Sequence, residues 1–158
     1  MKTANSVVVE LPGRPSRVLS HVVMDFTGTL SRDGGLLPGV SGRLRKISRR
    51  IPVTVLTADT FGKAAESLKG LPVETRIIRN GKDKAEFVKE LGAGQVVAIG
   101  NGRNDIAMTR MAAIGIAVVG PEGAAGALLR VADVVVRDIR EALDLVLNPL
   151  RLRATLRD

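Results

Sequence analysis

Four places in the 158-residue sequence carry side chains whose type and setting could do chemistry. The run Val22-Val23-Met24-Asp25-Phe26-Thr27-Gly28-Thr29-Leu30 sets a carboxylate at the end of an apolar strand, and Gly28 close behind it lets backbone amides approach a ligand. An ionised carboxylate there costs free energy unless it is paired or used. Thr57 ends the apolar run Val53–Leu56 and precedes Ala58-Asp59-Thr60, where a hydroxyl beside a helix N-terminus can donate to a phosphate oxygen. Lys84 falls early in a helix, where a cation opposes the helix dipole and could serve an anionic ligand. The segment Val97-Ala98-Ile99-Gly100-Asn101-Gly102-Arg103-Asn104-Asp105 is a strand running into a Gly-rich polar loop, whose oxygens at Asn101 and Asp105 suit a hard cation such as Mg²⁺. Plainer readings stand beside these: Asp25 as a turn residue, Thr57 and Asp59 as helix N-caps, Lys84 as a solvated helix residue. The loop at Gly100–Asp105 is the hardest of the four to explain structurally.

The elements that must hold these residues follow from hydrophobic period. Short β-branched runs alternate with helical segments, which predicts an α/β fold: a mostly parallel central sheet covered by helices on both faces. Ser6–Leu11 and Val18–Phe26, separated by Pro12-Gly13-Arg14-Pro15, are expected to pair as an N-terminal antiparallel hairpin at the start of that sheet. Further strands are expected at Val53–Thr57, Val73–Ile78, Gln95–Gly100, Gly115–Val119 and Val134–Val136, with helices near 39–50, 60–69, 83–91, 104–112, 122–130 and 138–147. Residues 1–158 read as a single domain with no inserted second unit. In such sheets ligands bind beyond the carboxyl ends of the strands, which is where Asp25, Thr57 and Asn101 fall.

Composition narrows the function classes. There is no cysteine and only one histidine, His21, which excludes a thiolate or multi-histidine metal site and a cysteine nucleophile. Any metal must sit on oxygen ligands. The apolar run Met111–Gly120 is far short of the ~20 residues of a membrane-spanning helix, and Met1–Ser6 lacks the pattern of a secretory signal. A cytoplasmic protein without membrane contact is therefore expected. The 24 Lys and Arg against 16 Asp and Glu leave a net charge of +8, gathered at Arg43, Arg45, Lys46, Arg49, Arg50 and again toward the C-terminus. This favours anionic partners. With three Phe and no Tyr or Trp there is no stacking platform for single-stranded bases, so nucleic acid is disfavoured as a partner.

The ordered set Asp25-Phe26-Thr27-Gly28-Thr29-Leu30, Leu56-Thr57-Ala58-Asp59, Lys84 and Gly100-Asn101-Gly102-Arg103-Asn104-Asp105 resembles the haloacid dehalogenase superfamily. It is most similar to the phosphorylation domain of P-type ATPases and to small P-type-ATPase-like phosphatases. The resemblance implies a Rossmann-like three-layer sandwich and a phosphatase in which Asp25 attacks phosphorus, forms an aspartyl-phosphate and is regenerated by water. It implies Mg²⁺ held by Asp25, the Thr27 carbonyl, Asn101 and Asp105. Catalytic roles fall to Asp25, Thr27, Thr57 and Lys84, and the phosphoryl group is expected against Asp25, Thr27, Gly28, Thr57, Ala58 and Lys84.

Two departures qualify the likeness. Most phosphatases of the superfamily carry a second Asp two residues after the nucleophile for acid–base work, and here Thr27 stands there, so slow turnover is expected. Asn101 replaces the usual Asp, removing one negative charge from the metal loop. These two residues keep open a second reading, a catalytically weak phosphate- or metal-binding regulatory protein acting through a partner. Only 32 residues separate Asp25 from Thr57 and 27 separate Thr57 from Lys84, too few for a cap domain. By the family's pattern a capless, open site takes macromolecular phosphates or borrows a lid from a second copy, so a homo-oligomer is a further expectation.

Overall fold

The computed structural model describes residues 5–59 and 62–158. The chain opens with β1 (Val7–Val9) and β2 (Arg17–Leu19), paired antiparallel with Val7 opposite Leu19. Val7, Val9 and Leu19 are buried while Val8 and Val18 face outward, the period of two expected of a half-buried hairpin. This hairpin is a small sheet of its own, which corrects the expectation that it begins the central sheet. The run expected as one strand, Val18–Phe26, divides at Ser20, whose N–H donates to the Gln95 carbonyl and leads the chain off the hairpin into β3 (His21–Asp25).

After β3 comes a second hairpin that the sequence reading did not place, β4 (Ser31–Arg32) and β5 (Gly35–Leu36). Its turn needs two left-handed residues, supplied by Asp33 at φ 52° and Gly34 at φ 84°. The chain continues through α1 (Val40–Ser48), β6 (Val53–Thr57), α2 (Lys63–Ser67), β7 (Glu74–Ile77), α3 (Gly81–Leu91) and β8 (Val96–Gly100). It ends with α4 (Ile106–Met111), β9 (Ile114–Val118), α5 (Gly126–Leu129), β10 (Val134–Val136), α6 (Ile139–Leu147) and α7 (Pro149–Leu156). The helix expected over 60–69 begins at residues outside the described set, as do Met1–Ala4 of the N-terminal segment. A further difference is α7, which the sequence reading took as part of a basic tail.

The central sheet is wholly parallel, ordered β10-β9-β8-β3-β6-β7. Alternate residues of its strands build two cores. Val22, Met24, Val53, Val55, Val97 and Ile99 face α1 and α6, while Val23, Leu56, Val96 and Ala98 face Phe87 and Val88 of α3 and Met108 of α4. The result is a three-layer α/β/α sandwich. Helix α1 buries Val40, Leu44 and Ile47 at helical spacing, and α6 buries Ile139, Ala142, Leu143 and Val146 against it. Each fully buried Val, Leu or Ile contributes about 1.5–3 kcal/mol relative to exposure, so these stripes rather than helix propensity fix the layers.

The order of the sheet also dictates where a ligand can go. From β3 the chain winds outward through β6 and β7, then returns to the other side of β3 for β8, β9 and β10. This reversal separates the crossovers beside β3 and opens a crevice at the carboxyl ends of β3 and β8. Among the described residues no helix is long and apolar enough to cross a membrane.

Candidate active site

Register fixes the neighbours of Asp25. On one side Asp25 is level with Leu56, so Thr57 stands at the rim; on the other Met24 is level with Ile99, so Gly100 and Asn101 stand there. Helix α3 crosses this rim with a stripe of buried residues, Lys84, Phe87 and Val88, whose first member is a cation. The Asn80 side chain caps α3 by accepting from the Asp83 N–H. Gly81 passes so close to the Asn104 carbonyl that a Cβ would lie 2.6 Å from it, which locks α3 against the β8 loop.

Lys84 is 1 % exposed, and its Nζ donates to Oδ1 of Asp25 and to Oδ1 of Asp105, each at 2.8 Å. The other oxygen of Asp105 accepts from the backbone N–H groups of Asn101 and Gly102, both at 3.0 Å. Asp105 is 0 % exposed, so its carboxylate is spent on holding Lys84 and folding the loop. Gly100 is required beneath it: a Cβ there would collide with the Asp105 carboxylate.

Two carboxylates against one ammonium leave the cluster with an excess negative charge. Burial raises the Asp25 pKa, repulsion from Asp105 adds to this, and Lys84 opposes it only in part, leaving Asp25 at about 6. For Lys84 burial works against the charged form, but attraction to Asp25 and Asp105 outweighs it and its pKa lies above the ordinary lysine value. The lysine is therefore a permanent cation at neutral pH.

Asn101 is fixed at both ends of its amide. Oδ1 accepts from the Thr29 hydroxyl at 3.0 Å and Nδ2 donates to the Gly123 carbonyl at 3.1 Å. The Thr29 hydroxyl lies 3.5 Å from Oδ2 of Asp25, so it bridges the nucleophile candidate and the amide. Gly28, at φ 74°, is the only residue type that fits its place without strain, since a Cβ would lie 2.5 Å from Nδ2 of Asn101. Sequence reasoning assigned no role to Thr29 or to the Gly120–Gly123 turn. Thr29 was within reach, because a hydroxyl four residues after a strand-end carboxylate, on a tight glycine turn, can fold back on it.

The remaining candidates sit around this centre. Thr57 is buried, and its hydroxyl accepts from the Asp59 N–H at 3.1 Å. Asp59 Oδ2 accepts from the Ala64 N–H at the start of α2, a helix-capping contact. Thr27 and Ala58 are exposed at the mouth. His21, at the far end of β3, bonds the Thr54 hydroxyl at 2.9 Å and is remote from the cluster.

Among the described residues no three of His, Cys, Asp and Glu converge on a point. A metal here would have to use a carbonyl or amide oxygen beside a carboxylate. The donor set fits a hard divalent cation: the Asp25 carboxylate and Asn101 Oδ1 stand together at the end of β3 and β8, and the charge excess favours a cation. Asp105, expected as a direct ligand, has both oxygens engaged, which sets its geometry apart from that expectation.

No family model matches the chain. A protein of Methanocaldococcus jannaschii, itself uncharacterised, is 48 % identical over 73 residues, covering 46 % of this chain and 78 % of that protein. The fold is similar to the 3-deoxy-D-manno-octulosonate 8-phosphate phosphatase of Moraxella catarrhalis, solved with magnesium and phosphate ions (TM-score 0.71, 19 % identity, 86 % of this chain and 90 % of that one). It is similar also to the cobalt-bound phosphatase of Haemophilus influenzae (TM-score 0.70, 16 % identity, 86 % and 91 %). The catalytic domain of the CPx-ATPase CopB-B matches at 26 % identity and TM-score 0.62, over 72 % of this chain and 46 % of that one. With an aspartate ending the central strand of this sheet order, the chain has the fold of haloacid dehalogenase superfamily hydrolases such as that of Legionella pneumophila (TM-score 0.69, 18 % identity, 87 % of each chain), and the likeness extends to an ATPase catalytic domain.

Proposed function

We propose that the chain is a divalent-metal-dependent phosphohydrolase that transfers a phosphoryl group to Asp25 and then to water. The observation that carries this reading is the buried trio of Asp25, Lys84 and Asp105 at the carboxyl ends of β3 and β8. An Asp25 oxygen forms a bond to phosphorus as the ester oxygen departs with its bonding electron pair and takes a proton from solvent. A water oxygen then bonds phosphorus, the bond to Asp25 breaks, and phosphate and the free carboxylate are restored. Lys84, held by Asp105, offers its charge to the phosphoryl oxygens as negative charge builds. The Thr57 hydroxyl and the N–H groups at Gly28 and Ala58 donate to the same oxygens.

The residues that hold the metal in this reading are Asp25, the Thr27 carbonyl and Asn101, with Asp105 acting through Lys84 and the loop amides. Mg²⁺, when bound, supplies screening of the repulsion between carboxylate and phosphoryl group. Thr27 cannot act as a general acid or base at neutral pH, so the leaving group depends on solvent, and catalysis forgoes about 10²–10⁴-fold. That same residue favours the second reading, a weak phosphate-binding regulator. Among the described residues the β4–β5 hairpin is the only small sheet beside the mouth on the β3–β6 connection. An open mouth suits a large or freely diffusing phosphate ester in the cytoplasm, or a lid lent by a second copy.

Release of p-nitrophenol from p-nitrophenyl phosphate tests the reading, because this leaving group needs little acid help. Mg²⁺-dependent turnover by the wild type and none by Asp25→Asn, at matched folded concentration, is expected. Inertness of both across Mg²⁺ concentrations would give the regulatory reading precedence.

A further inference from the structure

The edge of the molecule opposite Asp25 carries a second concentration of charge. Helices α1 and α6 both start at the carboxyl edge of the sheet and end at the far edge, where α7 begins. There Lys46, Arg49, Arg50, Asp144, Leu147 and Asn148 line a hollow of about 390 Å³. A smaller hollow of about 170 Å³ adjoins it, lined by Arg45, Ser48, Arg49 and Pro72. Arg49 belongs to both.

The charges in this place are unbalanced. Asp144 is the one carboxylate of the larger lining, and its two oxygens take the Arg43 guanidinium at 2.8 and 3.2 Å. Arg45, Lys46, Arg49 and Arg50 are exposed, and among the described residues none of them forms a salt bridge. Arg50 donates to the Leu147 carbonyl at 2.9 Å, which ties the end of α1 to the end of α6 and fixes one wall. Helix C-termini attract cations, but each carries only about half a negative charge, so two of them offset about one of the four. Arg45 with Arg49 and Lys46 with Arg50 are like-charged pairs at helical spacing, which repel. A multivalent anion seated among them removes that repulsion.

We propose that this hollow binds a compact anion of linked phosphates, such as inorganic polyphosphate or the polyphosphate part of a nucleotide. Its volume lies in the range of roughly 300–1,000 Å³ typical of small-molecule sites. The three cations of its lining, Lys46, Arg49 and Arg50, lie within residues 46–50 at the end of α1, a compact set that suits a few linked phosphates and is short for a nucleic-acid track. The chain also has no Tyr or Trp on which bases could stack. The inference does not depend on the activity proposed for Asp25.

Backbone amide NMR shifts of the full chain test it, without divalent metal and near about 0.15 M salt, with tripolyphosphate, ATP, orthophosphate and a short single-stranded RNA as probes. Tripolyphosphate and ATP are expected to shift Arg49, Arg50, Leu147 and Asn148 saturably, at least about tenfold more tightly than orthophosphate. Tighter binding of ATP than of tripolyphosphate identifies a nucleotide as the source; equal binding identifies the polyphosphate alone. The double variant Lys46→Gln, Arg49→Gln should weaken both by about tenfold while leaving the protein at least as thermally stable as the wild type, since both repelling pairs are relieved, and p-nitrophenyl phosphate hydrolysis unchanged. Shifts confined to the neighbourhood of Asp25 and Asn101, unchanged affinity in the double variant, or tighter binding of the RNA than of tripolyphosphate would each overturn the proposal.

Discussion

Nζ of Lys84 lies 2.8 Å from Oδ1 of Asp25, with the lysine side chain 2 % and the aspartate side chain 9 % exposed. The contact stands in the interior beside a second carboxylate, Asp105, at the same distance. A buried ion cluster of this kind costs desolvation energy to form, and removing its one cation orphans both carboxylates, whereas removing Asp25 leaves Lys84 paired with Asp105.

Lys84→Met should therefore destabilise the fold by about 3–5 kcal/mol, because two buried carboxylates lose their counter-charge. In an Asp25→Asn background the same change should cost less, because only Asp105 is orphaned. Urea unfolding of the four proteins measures both costs, and equal costs in the two backgrounds would contradict the shared role of the lysine.

Asp25→Asn should raise stability while abolishing turnover. The folded-state pKa of Asp25, about 6, lies above its ordinary 3.8, so the folded protein holds this proton more tightly than the unfolded chain. Ionisation of Asp25 thus opposes folding: the penalty is absent below pH 3.8 and complete above about pH 6. Melting temperatures of metal-free wild type and Asp25→Asn, taken from pH 4 to pH 7.5, should diverge as pH rises, with the variant the more stable. Curves that stay parallel would refute the assignment.

Asn101→Asp should separate stability from metal affinity. The substitution replaces an N–H donor to the Gly123 carbonyl with an acceptor and adds a third carboxylate near Asp25 and Asp105. Without metal the variant should lose about 1–3 kcal/mol. With Mg²⁺ it should gain more than the wild type does, because the added charge strengthens an oxygen site. Thermal melts with and without Mg²⁺ read both effects, and a variant as stable as wild type without metal would show that the Gly123 contact carries no weight.

Thr29→Val tests the hydroxyl that joins the amide of Asn101 to Asp25. The side chain is 0 % exposed, so loss of its hydrogen bond should cost about 1 kcal/mol, and a loosened Asn101 should lower kcat more than it alters KM. Thr29→Ser should recover most of the activity. Equal activity of the Val and Ser variants would remove Thr29 from the site.

The central strands were legible because they are runs rich in β-branched residues: Val53–Thr57, buried on both faces, and Val134–Val136, whose Val135 faces outward, have the bounds their patterns indicate. The C-terminal helix was hidden because only Leu152 of α7 is fully buried, so no apolar stripe marks it among its arginines. The β4–β5 hairpin escaped for the opposite reason: two-residue strands are too short to show any period, although Asp33-Gly34 is a turn signal. Within the site, residue types and order pointed to Asp25, Lys84 and Asn101. What spacing could not convey is that Lys84 and Asp105 meet in the interior, so that a carboxylate suited to a metal is engaged instead by an ammonium and two amides. Long-range pairing of that kind depends on the packing of α3 against β8.

The most direct test of Asp25 as the phosphoryl acceptor is rapid acid quenching of wild type during turnover of p-nitrophenyl phosphate with Mg²⁺, followed by peptide mass spectrometry. A phosphoryl adduct on the peptide bearing Asp25, removed by hydroxylamine and absent from Asp25→Asn, is the expected result. Turnover with no adduct on that peptide at any quench time, or at the wild-type rate in Asp25→Asn, would contradict it.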